Sequence, residues 1–314
     1  MADPILHIKD GYYFEVPKFL WRYRDDTLDD VPPFLRKAHP HATPKEFKDE
    51  LDGKIIIPQP FGGQLKNLYT RDSGFCISKF MILELVAAVL LAVTFIWLSR
   101  KMQSGIAPRG KFWNLFESIL VFIRDEVARP AIGKHDGDKF VPLLWSLFFF
   151  ILTCNLFGMV PWAGAPTASF SVTLSLAAVT FLTGIVCGMV KLGPIGYFLN
   201  MAPHIDVPWW GKLLLSPIIV GIFVIEVGGT CIKHGVLGVR LLANMVAGHV
   251  VLLAILGMIV EAAASRTFTW SAVTVISVFG STAISCLELF VAFLQAYVFT
   301  FLSALFIGMA THHH

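Results

Sequence analysis

The chain has 314 residues, 55% of them hydrophobic, with 25 Lys+Arg against 22 Asp+Glu and a formal net charge of +3. That composition excludes an ordinary soluble domain and points to several membrane-spanning helices. The small net charge gives no electrostatic reason to expect a nucleic-acid partner.

The charges are segregated. Residues 1–79 hold 12 basic and 12 acidic side chains, whereas 140–314 hold five basic (Lys191, Lys212, Lys233, Arg240, Arg266) and four acidic (Asp206, Glu226, Glu261, Glu288). Two regions follow: an extramembrane N-terminal tail, 1–78, and a membrane domain, 79–314. The tail is punctuated by Pro32-Pro33, His39-Pro40-His41 and Pro58-Gln59-Pro60, so little regular structure is expected. Tyr12, Tyr13, Phe14 and Trp21 are expected to rest it on the lipid face, and His39-Pro40-His41 reads as a polar loop. Acids and bases run through the first 25 residues with no apolar run, so no cleavable signal peptide is predicted. Five scattered cysteines show no metal or disulfide spacing and are expected to be buried small apolar residues.

The first span is predicted at 79–99, with Glu84 reaching the interface near one end and Arg100-Lys101 stopping the helix. Residues 111–130 place Phe112, Leu115, Phe116, Ile119, Leu120 and Ile123 at helical spacing among charges, the pattern of an amphipathic interfacial helix. Further spans are predicted at 140–161 and 170–190, the latter with Gly184-x-x-x-Gly188 for close helix contact. Residues 193–212 read as a loop or interfacial segment anchored by Trp209-Trp210. The last two apolar stretches, 213–264 and 271–310, exceed the ~20 residues that cross a bilayer. They must tilt, bend or double back, with Gly228-Gly229, Gly235 and Gly238 as possible bend points. The fold class is therefore all-α integral membrane, with about five embedded helices plus an interfacial one. The last two helices (213–310) form a long, steeply tilted antiparallel hairpin.

Lysine and arginine favour the cytoplasmic side. The 100–139 loop has 8 of them and is assigned there. The links at 162–169 and 265–270 are assigned outside, and 191–212 inside. Five passes then put the N-terminal tail outside and the C-terminus in the cytoplasm.

Arg240 stands out in the membrane body. Its guanidinium stays ionised, and placing it at bilayer depth costs roughly 3 kcal/mol on insertion scales. Asn244 is one turn on, along the same face. Glu226 returns to within roughly 40° of Arg240 on an unbroken helix, and His249 lies roughly half a turn round. In the last stretch Glu288 and Gln295 are seven residues apart. A hairpin joined near 265–270 puts Arg240 level with Gln295, and His249 level with Glu288. Glu288 and His249 can both titrate and so can pass protons. Arg240 cannot relay a proton, but it can repel a cation and attract a carboxylate. The structural alternatives are a static Arg240 ion pair with Glu226 or Glu288, an interhelical hydrogen bond at His249, a neutral buried Glu288, and packing roles for Asn244 and Gln295. Glu261 reads as interfacial, and Lys233 with His234 as marking the cytoplasmic boundary.

The segment Val239-Arg240-Leu241-Leu242-Ala243-Asn244-Met245-Val246-Ala247-Gly248-His249 resembles the arginine motif of subunit a of F-type ATP synthases. Residues 288–310, with Leu294-Gln295-Ala296-Tyr297-Val298-Phe299, resemble that family's terminal helix. Asn155-Leu156-Phe157-Gly158-Met159-Val160-Pro161 and Ser171-Val172-Thr173-Leu174-Ser175-Leu176 resemble its middle spans, so the match covers about 75–310. The resemblance implies a stator subunit without covalent chemistry or cofactor of its own. Two offset half-channels would conduct protons to and from carboxylates on a ring of c subunits, coupling the proton gradient to ATP synthesis. Arg240 corresponds to the arginine facing the ring, and His249 and Glu288 to the positions lining the outer half-channel. They stand in the His-then-Glu order of the mitochondrial type, where many bacterial members have Glu then His. Asn244, Gln295 and Glu226 fall on polar family positions, and Lys233-His234 stands where members often have Lys-Pro. The implied partners are the c ring, b-type peripheral stalk subunits, the rest of the complex and the bilayer; the implied location is the bacterial plasma membrane. The rival reading is a self-contained secondary transporter or channel, which should show an internal inverted repeat; none is found. An intramembrane hydrolase would need a motif such as His-Glu-x-x-His or Gly-x-Ser-x-Gly, and neither is present.

Overall fold

The computed structural model describes residues 9–16, 31–38, 40–103, 110–160, 163–201, 209–262 and 268–311. Trp21 and His39 lie outside them, as do the side chains of Trp209, Trp210 and Glu261. The chain divides into two compact units: residues 1–94, 153–169 and 245–290, and residues 95–152, 170–244 and 291–314.

The tail in the first unit has more structure than its prolines suggest. Strand β1 (Tyr13–Glu15) is followed by helices α1 (Pro33–Ala38) and α2 (Pro44–Leu51) and strands β2 (Lys54–Ile56), β3 (Gln64–Leu65) and β4 (Arg71–Ser73). β1 pairs antiparallel with β2, and β3 with β4. Thr43 and Glu46 bond each other's backbone N–H groups across the start of α2, a capping box with Pro44 at the first helical position. Tyr13, Val31, Leu35, Phe47, Leu51 and Leu68 form a small core. Tyr13 therefore packs inside the tail instead of lying on lipid, and its hydroxyl is 2.8 Å from that of Tyr69. The tail also closes on the first long helix, α3 (Lys79–Gln103). Asp10 Oδ1 accepts from Phe80 N at 3.3 Å and Gly11 O from Lys79 N at 2.8 Å, which satisfies free donors at the helix N-terminus. Burial raises the Asp10 carboxyl above its ordinary range, against hydrogen bonds from Ser78, Phe80 and Gly11 that pull it down.

In the second unit, helix α4 (Lys111–Phe122) runs into a π-helical segment (Ile123–Ala128) and then α5 (Arg129–Ile132). Trp113, Phe116, Leu120, Ile123 and Val127 are buried, the inward stripe expected of an amphipathic helix; Leu115 is exposed. The stripe meets α6 (Lys134–Met159) through Phe116 stacked on Phe149 and through Trp145 Nε1–H donating to Leu120 O at 2.9 Å. After a short 3-10 turn (Pro166–Ala168) comes α7 (Phe170–Leu192). Lys191 Nζ, near its end, lies 2.7 Å from Asp136 at the start of α6. Of the Gly184/Gly188 pair only Gly188 makes a close approach, to the Tyr197 ring and Ala310 O; a Cβ on Gly184 would meet nothing. Tyr197 belongs to α8 (Pro194–Met201), so part of the predicted loop is helical.

The last two helices are α9 (Trp209–Ala262), of 54 residues, and α10 (Phe268–Thr311), of 44. Neither breaks, so the 213–264 stretch does not double back. A lone glycine is a weak reason to interrupt a helix where exposed backbone groups cost several kcal/mol each. At 1.5 Å per residue α9 is about 80 Å long against a hydrocarbon core of about 30 Å, so it must lie steeply inclined. Among the described residues, five helices are long and apolar enough to cross a membrane: Lys79–Lys101, Asp136–Met159, Phe170–Leu192, Gly221–Ile255 and Val273–Thr311. Within each unit α9 and α10 run antiparallel: His249 meets Glu288 and Gly280 lies near Ile255 in the first, while Asn244 meets Gln295 and His234 meets Phe306 in the second. Cys76 and Cys154 are buried as expected, but Cys231 and Cys286 are exposed.

Candidate proton-conducting site

The polar residues of the last two helices form two clusters, one in each unit. In the first unit, His249 Nδ1 on α9 lies 2.7 Å from Glu288 Oε1 on α10. Both atoms are buried, and the contact is a close approach of two titratable groups without hydrogen-bond angles. The other ring nitrogen, Nε2, is 3.0 Å from the Gly158 carbonyl at the end of α6. A carbonyl only accepts, so Nε2 must carry a hydrogen. The contact between Nδ1 and Oε1 is then favourable when it holds a single proton, on either the imidazole or the carboxyl. A pair that can hold one proton at either end is suited to relay.

Two glycines make this geometry possible. A Cβ on Gly158 would sit 2.7 Å from Met245 Cε and 2.8 Å from Ala165 Cβ, and one on Gly248 would sit 2.9 Å from Glu288 Oε1. The carboxyl of Glu288 therefore lies directly against the backbone of α9. Sequence reasoning passed over both glycines as site residues; the available signal was their place inside otherwise bulky motifs next to Asn155 and His249. Beside them Thr167 Oγ1 donates to Asn155 Oδ1 at 2.9 Å, both residues buried.

In the second unit, Asn244 Nδ2 donates to Gln295 Oε1 at 2.8 Å. Gln295 thus pairs with Asn244, one turn beyond the Arg240 level expected from register. Arg240 Nε and Gln295 Nε2 are buried donors with no hydrogen-bond partner, and Arg240 has no carboxylate partner among the described residues. Arg240 also sits on an uncovered stripe of α9. Four residues before it Val236 is 56% exposed, and three residues after it Ala243 is exposed too. Ile232 and Val239 continue the open face.

Glu226 stands apart. It is exposed on α9, 14 residues and thus about 21 Å along the helix from Arg240. His234 is buried. Its Nδ1 is 2.9 Å from Thr230 O, and the Phe181 and Phe306 rings flank it. Glu84 is half-buried, and its Oε1 is buried without a hydrogen-bond partner.

Comparison with known proteins adds to this geometry. The family model described as ATP synthase A chain matches residues 81–308. An ATP synthase subunit a of Myxococcus xanthus is 43% identical over 81% of this chain and 80% of its own length. One from Anaeromyxobacter sp. is 37% identical over 98% of this chain and 70% of its own. An ATP synthase subunit a 2 of Chlorobaculum tepidum is 36% identical over 84% and 71%.

Proposed function

Because this chain belongs to the ATP synthase A chain family, we propose that it is the stator through which protons reach and leave a rotating ring of c subunits. As a multi-pass membrane protein of that complex it needs the other subunits to work, and we infer that the ring and a b-type peripheral stalk are its direct neighbours.

The observation that carries this reading is the pair of buried, unpartnered donors at Arg240 and Gln295, beside an uncovered stripe of α9. A half-buried guanidinium without a counter-charge is costly in a membrane. A carboxylate presented by a neighbouring subunit would relieve that cost and would lose its proton on arrival. The His249–Glu288 pair supplies protons from outside and Arg240 keeps that path from joining the one on the other side, with Glu226 toward the cytoplasmic exit. In this reading the tail, 1–78, lies outside, and the membrane domain, 79–314, carries the rotor-facing hairpin 213–310 to a cytoplasmic C-terminus in the bacterial plasma membrane. The subunit does no covalent chemistry.

The rival self-contained transporter makes a different prediction. Purified chain in liposomes should conduct no protons alone, and ATP-driven acidification should appear when the complete complex is reconstituted with this chain and vanish when the chain is left out. Steady proton flux through the chain alone would favour the rival.

A further inference from the structure

Glu84 lies in the first unit, on α3, outside the motifs that define the site. Its neighbours on one stripe of the helix, Phe80, Ala87 and Leu91, are buried, while Leu85, Val86, Val89 and Val93 are exposed. The spacing of four, three and four residues puts Glu84 on the protein-facing stripe. Its Oε1 is buried with no hydrogen-bond partner. A carboxyl kept for structure would have its oxygens bonded, and one held permanently ionised there would be costly.

The surroundings form a route. At the start of α3, Lys79 Nζ and the Phe80 ring close on Gly164, and Asp10 caps the helix from the tail within electrostatic range of Glu84. Cys154 on α6 lies in the same unit and is buried, and it feels the Glu84 charge. Asn155 follows, bonded to Thr167, and one turn beyond Cys154 the Gly158 carbonyl holds His249. The other titratable groups along this route are thus Asp10 and Lys79 at the head of α3, Cys154 on α6, and the His249–Glu288 pair at its inner end.

We propose that Glu84 is a proton-handling group on the outer inlet, taking protons at the head of α3 and passing them by way of the Asn155–Thr167 neighbourhood to His249 and Glu288. The inference rests on the proton-conducting reading given above. It makes α3 and the tail part of the inlet as well as a lipid-facing anchor.

The test is ATP-driven acidification of inverted vesicles carrying the complete complex, measured from about pH 6 to 9 for Glu84→Gln, Glu84→Asp and Glu288→Gln. At unchanged amounts of assembled complex, E84Q is expected to slow acidification roughly tenfold or more. E84D should restore most of the rate with a displaced pH midpoint, which a merely structural role would not produce. E288Q should abolish acidification. E84Q matching the wild type across the range while E288Q is inactive overturns this inference alone. If both match the wild type, the conducting reading falls and this inference with it. Should E84Q fail to assemble, E84D decides: a displaced midpoint supports the inference and an unchanged one overturns it.

Discussion

Replacing Arg240 with alanine is expected to reduce ATP-driven proton pumping by about two orders of magnitude or more, while the chain still inserts and assembles. Assembly should survive because Arg240 Nε has no protein acceptor to lose. Function should not, because the guanidinium is the fixed charge that a partner carboxylate meets. Arg240→Lys keeps the charge but loses the planar fork of donors, so it should retain a measurable fraction of the rate. The readout is acidification of inverted vesicles, normalised to the amount of assembled complex.

The second large effect concerns His249 and Glu288. Replacing either by leucine leaves the other buried without its partner, at a cost of about 3–5 kcal/mol for a buried pair, and removes the relay. Each single change should lower pumping by about a hundredfold. An exchange of the two residues behaves differently. His249→Glu alone sets two carboxyls together and Glu288→His alone sets two imidazoles together, and both should fail. The double variant H249E/E288H again makes a contact that holds one proton between a carboxyl and an imidazole. It is expected to recover a large part of the rate. A double variant no better than its singles would mean that the orientation fixed by the Gly158 carbonyl, and not the chemistry of the pair, governs transfer.

Much of this arrangement was legible before any coordinates. The five spans follow from hydropathy, because an uninterrupted apolar run of about 20 residues can satisfy its own backbone in a bilayer only as a helix. The level of His249 with Glu288 follows from antiparallel register, which the rigid rise of two helices fixes over many residues. Three things were not legible. The tail's core depends on long-range contacts among Tyr13, Leu35, Phe47 and Leu68, which no local pattern in a proline-rich segment reveals. The pairing of Gln295 with Asn244 instead of Arg240 turns on a shift of one helical turn, finer than a register estimate across an assumed loop. The partial burial of the Glu84 carboxyl depends on which face of α3 meets protein, and a uniformly apolar helix carries almost no periodic signal to mark that face.

The most direct test of the central claim asks what Arg240 faces. Ala243→Cys, one turn from Arg240 on the same open stripe, would be combined with cysteines placed around the mid-membrane carboxylate of the ring subunit, in a chain lacking the exposed Cys231 and Cys286. A disulfide is expected between the two subunits, one that stops ATP-driven pumping and releases it on reduction. Failure to form any such bond, with the cysteine at position 243 modified instead by a lipid-phase thiol reagent, would mean that this face of α9 meets lipid and would contradict the account.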